Sequence, residues 1–423
     1  MRNYIKDAAD LDEVELSGWA EDIRRIKSIV FIILRDVTGR IQVTVKSENV
    51  KNFDEVYKIN RESVLKVHGT VDHQSRSKSG IEIIADSVEI LNAAEAPLPL
   101  GVVDKVQADL DTRLNNRYID LRKDENLIIF KAQSTLLWGI REYLNRLGFI
   151  EVHTPKIVAA ATEGGADLFP VKYFERDAYL NQSPQLYKEI LMAAGFEKVF
   201  EVGPAFRAEK ENTLRHLNEF TSIDIEMSFA DHNDVMDVLE NTVKNAINTL
   251  KNNLGDELNK HGFNIDSING RIPRITYREA IDYLNSSGFQ MNFGDDFSPE
   301  AARVLGERYK SFYFITEWPV SLRPFYTMKK DDETTKSFDL QLRELEICSG
   351  AQRIHRYDDL VNNIKNKGLN PESFTFYLSA FRYGMPPHAG WAIGLERLTM
   401  NLLGIKNVRE TTLFPRDRTR LLP

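Results

Sequence analysis

The chain has 423 residues, 42% of them hydrophobic, a single cysteine (Cys348) and a formal net charge of -8. That length supports a large core in more than one domain, one thiol excludes a disulfide-stapled scaffold, and the acidic balance excludes a uniformly basic nucleic-acid binder while leaving room for a local basic patch. No apolar run reaches the roughly 18 residues of a membrane span, and the opening residues hold no apolar signal core, so a cytoplasmic protein with no membrane partner is expected.

Residues 1–91 read as short strands. The segments 14–20, 29–34, 39–45, 64–71 and 81–89 are rich in Val and Ile and partly alternate. Between the third and fourth, Phe53, Val56, Tyr57 and Ile59 suit a short amphipathic helix. Five strands with a helix after the third is the order of an OB-fold barrel, with another small barrel or sandwich as the alternative. The segment carries no excess of basic residues, so its charge does not announce RNA. Residues 92–112 read as a linker, because Pro97 and Pro99 break helix and favour extended chain.

The remainder, 113–423, has a different pattern. Leu127, Phe130, Leu137, Ile140, Leu144 and Leu147 recur at helical spacing, and Gly148 is a helix stop. FIEVHTPKIV (149–158) reads as a strand interrupted by Pro155, which places it at a sheet edge or an interface. Strands and helices then alternate irregularly, which favours α+β over a doubly wound parallel sheet. The stretch 255–300, rich in Asn, Asp and Gly, reads as a small insertion.

Three tracts carry candidate chemistry. In FEVGPAFRAEKENTLRHLNEFTSIDIEMSF (200–229), two apolar strands flank a polar loop, with Arg207 on a buried strand and Arg215 and His216 across the loop. A buried guanidinium needs an anion. It is either a phosphate fork or a structural partner of Glu201, Glu209 or Glu226. In DLQLRELEICSGAQRIHRYDDL (339–360), Asp339, Glu346 and Ser349 offer oxygen ligands to a hard cation and Arg353 is a second fork, unless the tract is an exposed charged face. In GMPPHAGWAIGLERLTMNLLG (384–404), glycines permit close backbone approach ahead of a helix bearing Arg397. TEGGADLF (162–169) and QSPQLYK (182–188) read as loops near a site. No P-loop, HExxH, CxxC or GxSxG pattern is present, and Cys348 reads as a small core residue.

In this order the tracts resemble the class II aminoacyl-tRNA synthetases, and more narrowly the aspartyl-tRNA synthetases of the archaeal and eukaryotic kind. FIEVHTPKI is similar to the first family motif, FRAEKENTLRHLNEF to the second and GLER to the third; TEGGADLF, QSPQLYK, RPFYTM, SGAQR and LFPRDRTRLLP match further tracts. The resemblance implies an N-terminal anticodon-binding OB barrel and a catalytic domain on an antiparallel sheet flanked by helices. It implies ATP and Mg²⁺, L-aspartate, and the aspartate tRNA alone or the asparagine tRNA as well. It also implies a homodimer. The implied reaction forms aspartyl-adenylate and then transfers the aspartyl group to the tRNA ribose.

By the same resemblance Arg207 grips the α-phosphate and, with Arg397, is the catalytic pair. Arg215, His216 and Arg397 serve the β- and γ-phosphates, and Glu209 reads the adenine edge. Leu217, Glu346, Gly394, Leu395 and Glu396 complete the ATP set, and Asp339, Glu346 and Ser349 hold the metal. Glu163, Gln185, Lys188, Asp224, Ser349 and Arg353 form the aspartate pocket, with Arg353 on the side-chain carboxylate. Phe31 and Gln42 stack on and hydrogen-bond the anticodon bases, with Glu82 beside them; the alternative places Phe31 in the barrel core. Ala389 and Glu344 depart from the glycines common in the family. The rivals are an asparaginyl-tRNA synthetase, against which Asn218 and Asp224 argue, an asparagine synthetase lacking the barrel, and an RNA-binding regulator with a dead catalytic domain.

Overall fold

The computed structural model describes residues 2–75, 77, 80–103, 108–159, 168–211 and 213–423. The chain divides into two units, Met1–Lys123 and Asp124–Pro423. No helix among the described residues is long and apolar enough to cross a membrane.

The first unit is built on β1 (Glu13–Ile26), β2 (Ile29–Arg35), β3 (Arg40–Lys46), β4 (Val64–Asp72) and β5 (Glu82–Asn92), closed into a barrel in the order β1-β2-β3-β5-β4. Helix α1 (Phe53–Val56) lies between β3 and β4 in sequence. The alternation of side chains along each strand sets the inside: Val30, Ile32 and Leu34 are buried, and Phe31 and Ile33 face out. Phe31 is therefore not barrel core. Two strands approach closely at Gly18, since a Cβ there would sit 2.3 Å from the Arg35 carbonyl oxygen. Helix begins inside the expected linker: α2 (Leu110–Asn115), capped by Asp109, and then α3 (Arg117–Asp120). The Asp109 carboxylate accepts the Thr112 N–H at 3.0 Å and so supplies the start signal.

The second unit opens with α4 (Asp124–Arg146), ended by Gly148 at φ +81°. The expected strand over 149–158 is instead two short pieces, β6 (Ile150–Glu151) and β7 (Ile157–Val158), with Pro155 between them. A proline lacks the N–H that a continuous ladder would need, and the pieces join different sheets. Strands β8 (Pro170–Tyr173) and β9 (Arg176–Leu180) complete a small sheet in the order β7-β9-β8.

Next come α5 (Gln185–Ala193), β10 (Lys198–Phe206), β11 (Glu219–Ser228) and α6 (His232–Lys260). They are followed by β12 (Arg274–Thr276), α7 (Tyr277–Ser286), α8 (Pro299–Tyr309), β13 (Phe312–Thr316), β14 (Ser337–Leu342) and β15 (Leu345–Gln352). The chain ends through α9 (Tyr357–Asn366), α10 (Thr375–Phe381), β16 (His388–Gly394) and α11 (Leu395–Leu402). The main sheet has eight strands in the order β12-β13-β14-β15-β16-β11-β10-β6, antiparallel except at its two ends. Helices α4 and α6 pack tightly on each other at Gly139, where a Cβ would lie 2.9 Å from the Ala246 Cα. The architecture is α+β, as the irregular alternation implies.

The stretch 255–300 holds the end of α6, the edge strand β12, α7 and the start of α8, and its Tyr277 and Leu284 are buried in a hydrophobic cluster with Trp318. One expectation needs correction. Arg207 is not on a buried strand; it lies just beyond β10 and is half-buried.

Candidate active site

The face of the main sheet around β10, β11, β15 and β16 forms a cleft with two connected compartments. Arg207, Phe220, Ser222, Glu346, Ser349 and Ala392 line both. In the first, the loop after β10 brings Arg207, Glu209, Arg215, His216 and Leu217 opposite Glu346 on β15 and Gly394, Glu396 and Arg397 at the start of α11. The sequence-predicted nucleotide set thus converges, with one exception. Leu395 is 4% exposed and belongs to the hydrophobic core, because a helix that turns Glu396 and Arg397 to the cleft turns its neighbour inward.

Among the described residues no carboxylate forms an ion pair with Arg207, Arg215 or Arg397. The Arg207 guanidinium instead lies 5.5 Å from the centre of the Phe220 ring, and Arg397 Nε donates to the Arg215 carbonyl at 3.2 Å. Among the described residues Arg207 forms no ion pair with Glu201, Glu209 or Glu226: Glu201 bonds Thr154 and Lys156, and Glu226 bonds Arg353. Burial lowers the Arg397 pKa, Glu346 opposes this, and the charges of Arg207 and Arg215 add to the lowering. Burial likewise lowers His216, and Arg397 adds to it. Glu396 accepts the Thr221 N–H on both carboxylate oxygens at 3.0 Å; burial pushes it up to about 6.

The second compartment is a network of paired charges. Lys188, on α5 and 2% exposed, donates to Asp224 at 3.0 Å and lies 3.5 Å from Glu226. Arg353, just past β15 and 4% exposed, forks onto Glu226 at 3.0 and 3.3 Å under the Tyr326 ring. Burial alone would lower the Arg353 pKa, but Glu226 and then Glu189 outweigh it and hold it above the ordinary value. Ser222 donates to Asp224 at 2.5 Å. Gln185 donates to Glu189 at 2.6 Å, and Tyr377 and His388 reach the other oxygen at 2.7 and 3.1 Å. The glycines here are steric: a Cβ on Gly390 would lie 2.2 Å from the Glu226 carboxylate, and one on Gly350 would lie 2.3 Å from the Phe338 ring.

The proposed metal ligands are spread over two strands. Asp339 on β14 pairs with Ser349 on β15, and Glu346 lies three residues before Ser349. Asp339 is 1% exposed and does not line either compartment; Arg323 holds its Oδ2 at 2.6 Å and reaches Ser349 Oγ at 3.2 Å. Its Oδ1 is buried without a hydrogen-bond partner. Glu346 opens to the cleft but is packed round by protein. That crowding and then the Asp339 charge push its carboxyl up to about 7. Among the described residues no group of three His, Cys, Asp or Glu forms a ready-made metal cage. An orphaned carboxylate oxygen beside a second, charge-frustrated carboxyl still fits a hard cation completed by phosphate oxygens.

On the barrel, Phe31, Gln42 and Glu82 share the outer face of neighbouring strands. Ile33 pairs with Gln42, and Gln42 with Glu82. Phe31 is half-exposed with the Arg24 guanidinium 4.8 Å from its ring centre, and Gln42 and Thr44 both donate to Glu82, at 2.6 and 2.5 Å. Glu163 and most of TEGGADLF lie outside the described residues. Sequence reasoning missed Arg323, Phe220, Ser222 and Glu189. Arg323 opens the RPFYTM tract, whereas two of the partners of Glu189, Tyr377 and His388, lie 188 and 199 residues away.

Residues 109–418 match the family model for class II tRNA synthetases (D, K and N), and residues 14–91 match an OB-fold nucleic acid binding domain. The chain is 62% identical to an "Aspartate--tRNA(Asp) ligase" of Thermoplasma volcanium, covering 100% of both chains. It is 52% identical to an "Aspartate--tRNA(Asp/Asn) ligase" of Archaeoglobus fulgidus, again over 100% of both. Among solved structures, it is similar to the asparaginyl-tRNA synthetase of Pyrococcus horikoshii complexed with asparaginyl-adenylate, with a TM-score of 0.93, 34% identity and 100% coverage of both chains.

Proposed function

The chain belongs to the class II tRNA synthetases (D, K and N) and is an aminoacyl-tRNA ligase, and on that premise we propose that it joins L-aspartate to tRNA(Asp) through an aspartyl-adenylate. The observation that carries this reading is the pairing of compartments in one cleft: guanidiniums that form no ion pair among the described residues, beside a pocket lined by Arg353, Gln185 and Asp224, with the buried Lys188 ammonium paired to Asp224. The relatives at 62% and 52% identity support aspartate over asparagine.

In this reading the aspartate α-carboxylate attacks the α-phosphorus of ATP and pyrophosphate leaves. Arg207 stands where the compartments meet and stabilises the α-phosphate as its charge develops. Arg215, His216 and Arg397 take the β- and γ-phosphates, Glu209 reads the adenine edge, and Leu217, Gly394 and Glu396 shape the wall. Arg353 and Lys188 select the substrate side chain, with Gln185, Asp224 and Ser349 around them and Glu163 reserved for the ammonium group. Mg²⁺ bound by Asp339, Glu346 and Ser349 would neutralise phosphate charge. Phe31, Gln42 and Glu82 bind the anticodon.

The chain acts as a homodimer: Trp138 on α4, 65% exposed, and Ile150 and Ile157 are large exposed apolar side chains of the kind that subunits bury. We place it in the cytoplasm, where a single free cysteine is ordinary usage. Relatives of both tRNA(Asp) and tRNA(Asp/Asn) type stand near it, and charging of both tRNAs separates the two.

The test is amino-acid-dependent ATP–pyrophosphate exchange without tRNA. Exchange with aspartate and not asparagine is expected. Exchange with asparagine alone overturns the substrate assignment.

A further inference from the structure

The loop that carries Arg207, Glu209, Arg215 and His216 is not held by its own strands alone. Residues 408–420 run beside it and bond its backbone at successive points. The Val408 N–H donates to the Leu214 carbonyl at 3.0 Å and Arg409 Nη1 to the Thr213 carbonyl at 3.2 Å. Arg418 Nη1 donates to the Lys210 carbonyl at 2.6 Å. The Arg416 carbonyl accepts the Asn218 N–H at 2.8 Å, and the Asn218 amide donates back to the Arg207 and Glu209 carbonyls at 2.7 and 3.3 Å. This flanking segment is itself fastened. Arg409 Nε meets Asp417 at 2.6 Å with side chains 10% and 6% exposed, and the other Asp417 oxygen accepts from Thr419 and Arg420. Burial would raise the Asp417 pKa, but the bonds from Arg409 and Thr419 hold it down at about 2, so the carboxylate stays charged.

We propose that the 408–420 segment is a strut for the nucleotide loop, with Asp417 its latch and Asn218 its hinge-pin, and that these residues position Arg207, Arg215 and His216 for the triphosphate without touching it. Backbone carbonyls tied at Arg207, Glu209, Lys210, Thr213 and Leu214 fix where the side chains between them can point. A cluster of like charges such as Arg207, Arg215 and Arg397 would otherwise spread apart. The inference rests on the nucleotide reading of this compartment, and its test includes a readout that does not depend on the amino acid.

ATP binding is measured by equilibrium dialysis, and ATP and aspartate KM and kcat by exchange, for the full chain and three variants. Asp417→Ala is expected to weaken ATP binding and raise its KM about tenfold, with aspartate KM unchanged and kcat within about threefold. Asp417→Glu restores most of the loss. Arg418→Ala removes one bond from an exposed side chain without a folding cost and is expected to weaken ATP binding about twofold, which decides the matter if Asp417→Ala does not fold. Wild-type ATP affinity in folded Asp417→Ala, or in Arg418→Ala when the former is unfolded, overturns the strut. Equal rises in both substrates' KM overturn it too, since that is loss of general structure. A wild-type protein that binds ATP but exchanges no aspartate overturns the substrate assignment alone, and dialysis still judges the strut.

Discussion

The two compartments of the cleft solve the problem of buried charge in opposite ways. On the amino-acid side every cation has a carboxylate: Lys188 has Asp224, Arg353 has Glu226, and Glu189 is surrounded by donors. On the nucleotide side Arg207, Arg215 and Arg397 have none among the described residues. A paired network holds its geometry before the ligand arrives and penalises a substrate that would leave one member unmatched. An unpaired cluster is poised for a polyanion, and its mutual repulsion is relieved only when that polyanion binds. Selection is thus built in advance, and the drive for nucleotide binding is held in reserve.

This contrast predicts different costs for removing an arginine on each side. Arg353→Ala strands the Glu226 carboxylate, 0% exposed, with Lys188 at 3.5 Å as its remaining cation. Breaking a buried pair in this way costs about 3–5 kcal/mol of stability. Chemical denaturation should show that loss, together with collapse of aspartate-dependent exchange. Unchanged stability would mean that the network is looser than its distances imply. Arg207→Ala should do the reverse. Among the described residues it has no ion-pair partner to strand, only a contact with Phe220 that is worth about 0.5–1 kcal/mol at an open site. Stability should hardly move, while exchange falls by about 10²–10³ in kcat. A folded variant with substantial exchange would remove Arg207 from the reaction.

The same contrast explains what is legible in the sequence. The barrel strands can be read because period-two burial survives in Val- and Ile-rich segments such as IVFIILR. Helix α4 can be read because its apolar spacing runs for several turns to a terminating glycine. The residues proposed for the nucleotide, Glu346 apart, cluster in two local tracts, so they can be grouped together. The amino-acid network cannot, because Arg353 and Glu226 are 127 residues apart and only the sheet order brings them together. Elsewhere a local signal is present but masked by composition. Thr276 and Glu279 form a capping box at the start of α7, and Ser298 with Pro299 opens α8, within a stretch whose Asn, Asp and Gly content suggests an insertion. At Pro155 the missing N–H is visible in the sequence, but it fits a sheet edge as well as a division between two sheets, and only the fold separates these.

The smallest predicted effect probes the reserve on the nucleotide side through His216. Its ordinary pKa of 6.5 is lowered in the free protein, by burial first and Arg397 next, so the ring is neutral at pH 7. A bound triphosphate supplies negative charge to the same compartment and raises that pKa, so the complex holds more protons than the free protein at intermediate pH. Where the complex binds the extra proton, affinity must rise as pH falls. ATP binding should therefore strengthen through this group as pH falls from 8 to 6.5, a small part of the total affinity. Protonation of the γ-phosphate acts in the opposite direction, but equally in a His216→Gln variant. The difference between the two proteins, measured by titration calorimetry across that range, isolates the histidine. Identical pH dependence in both would mean that the ring stays neutral against the triphosphate and serves as a hydrogen-bonding wall, leaving the three arginines to carry the charge.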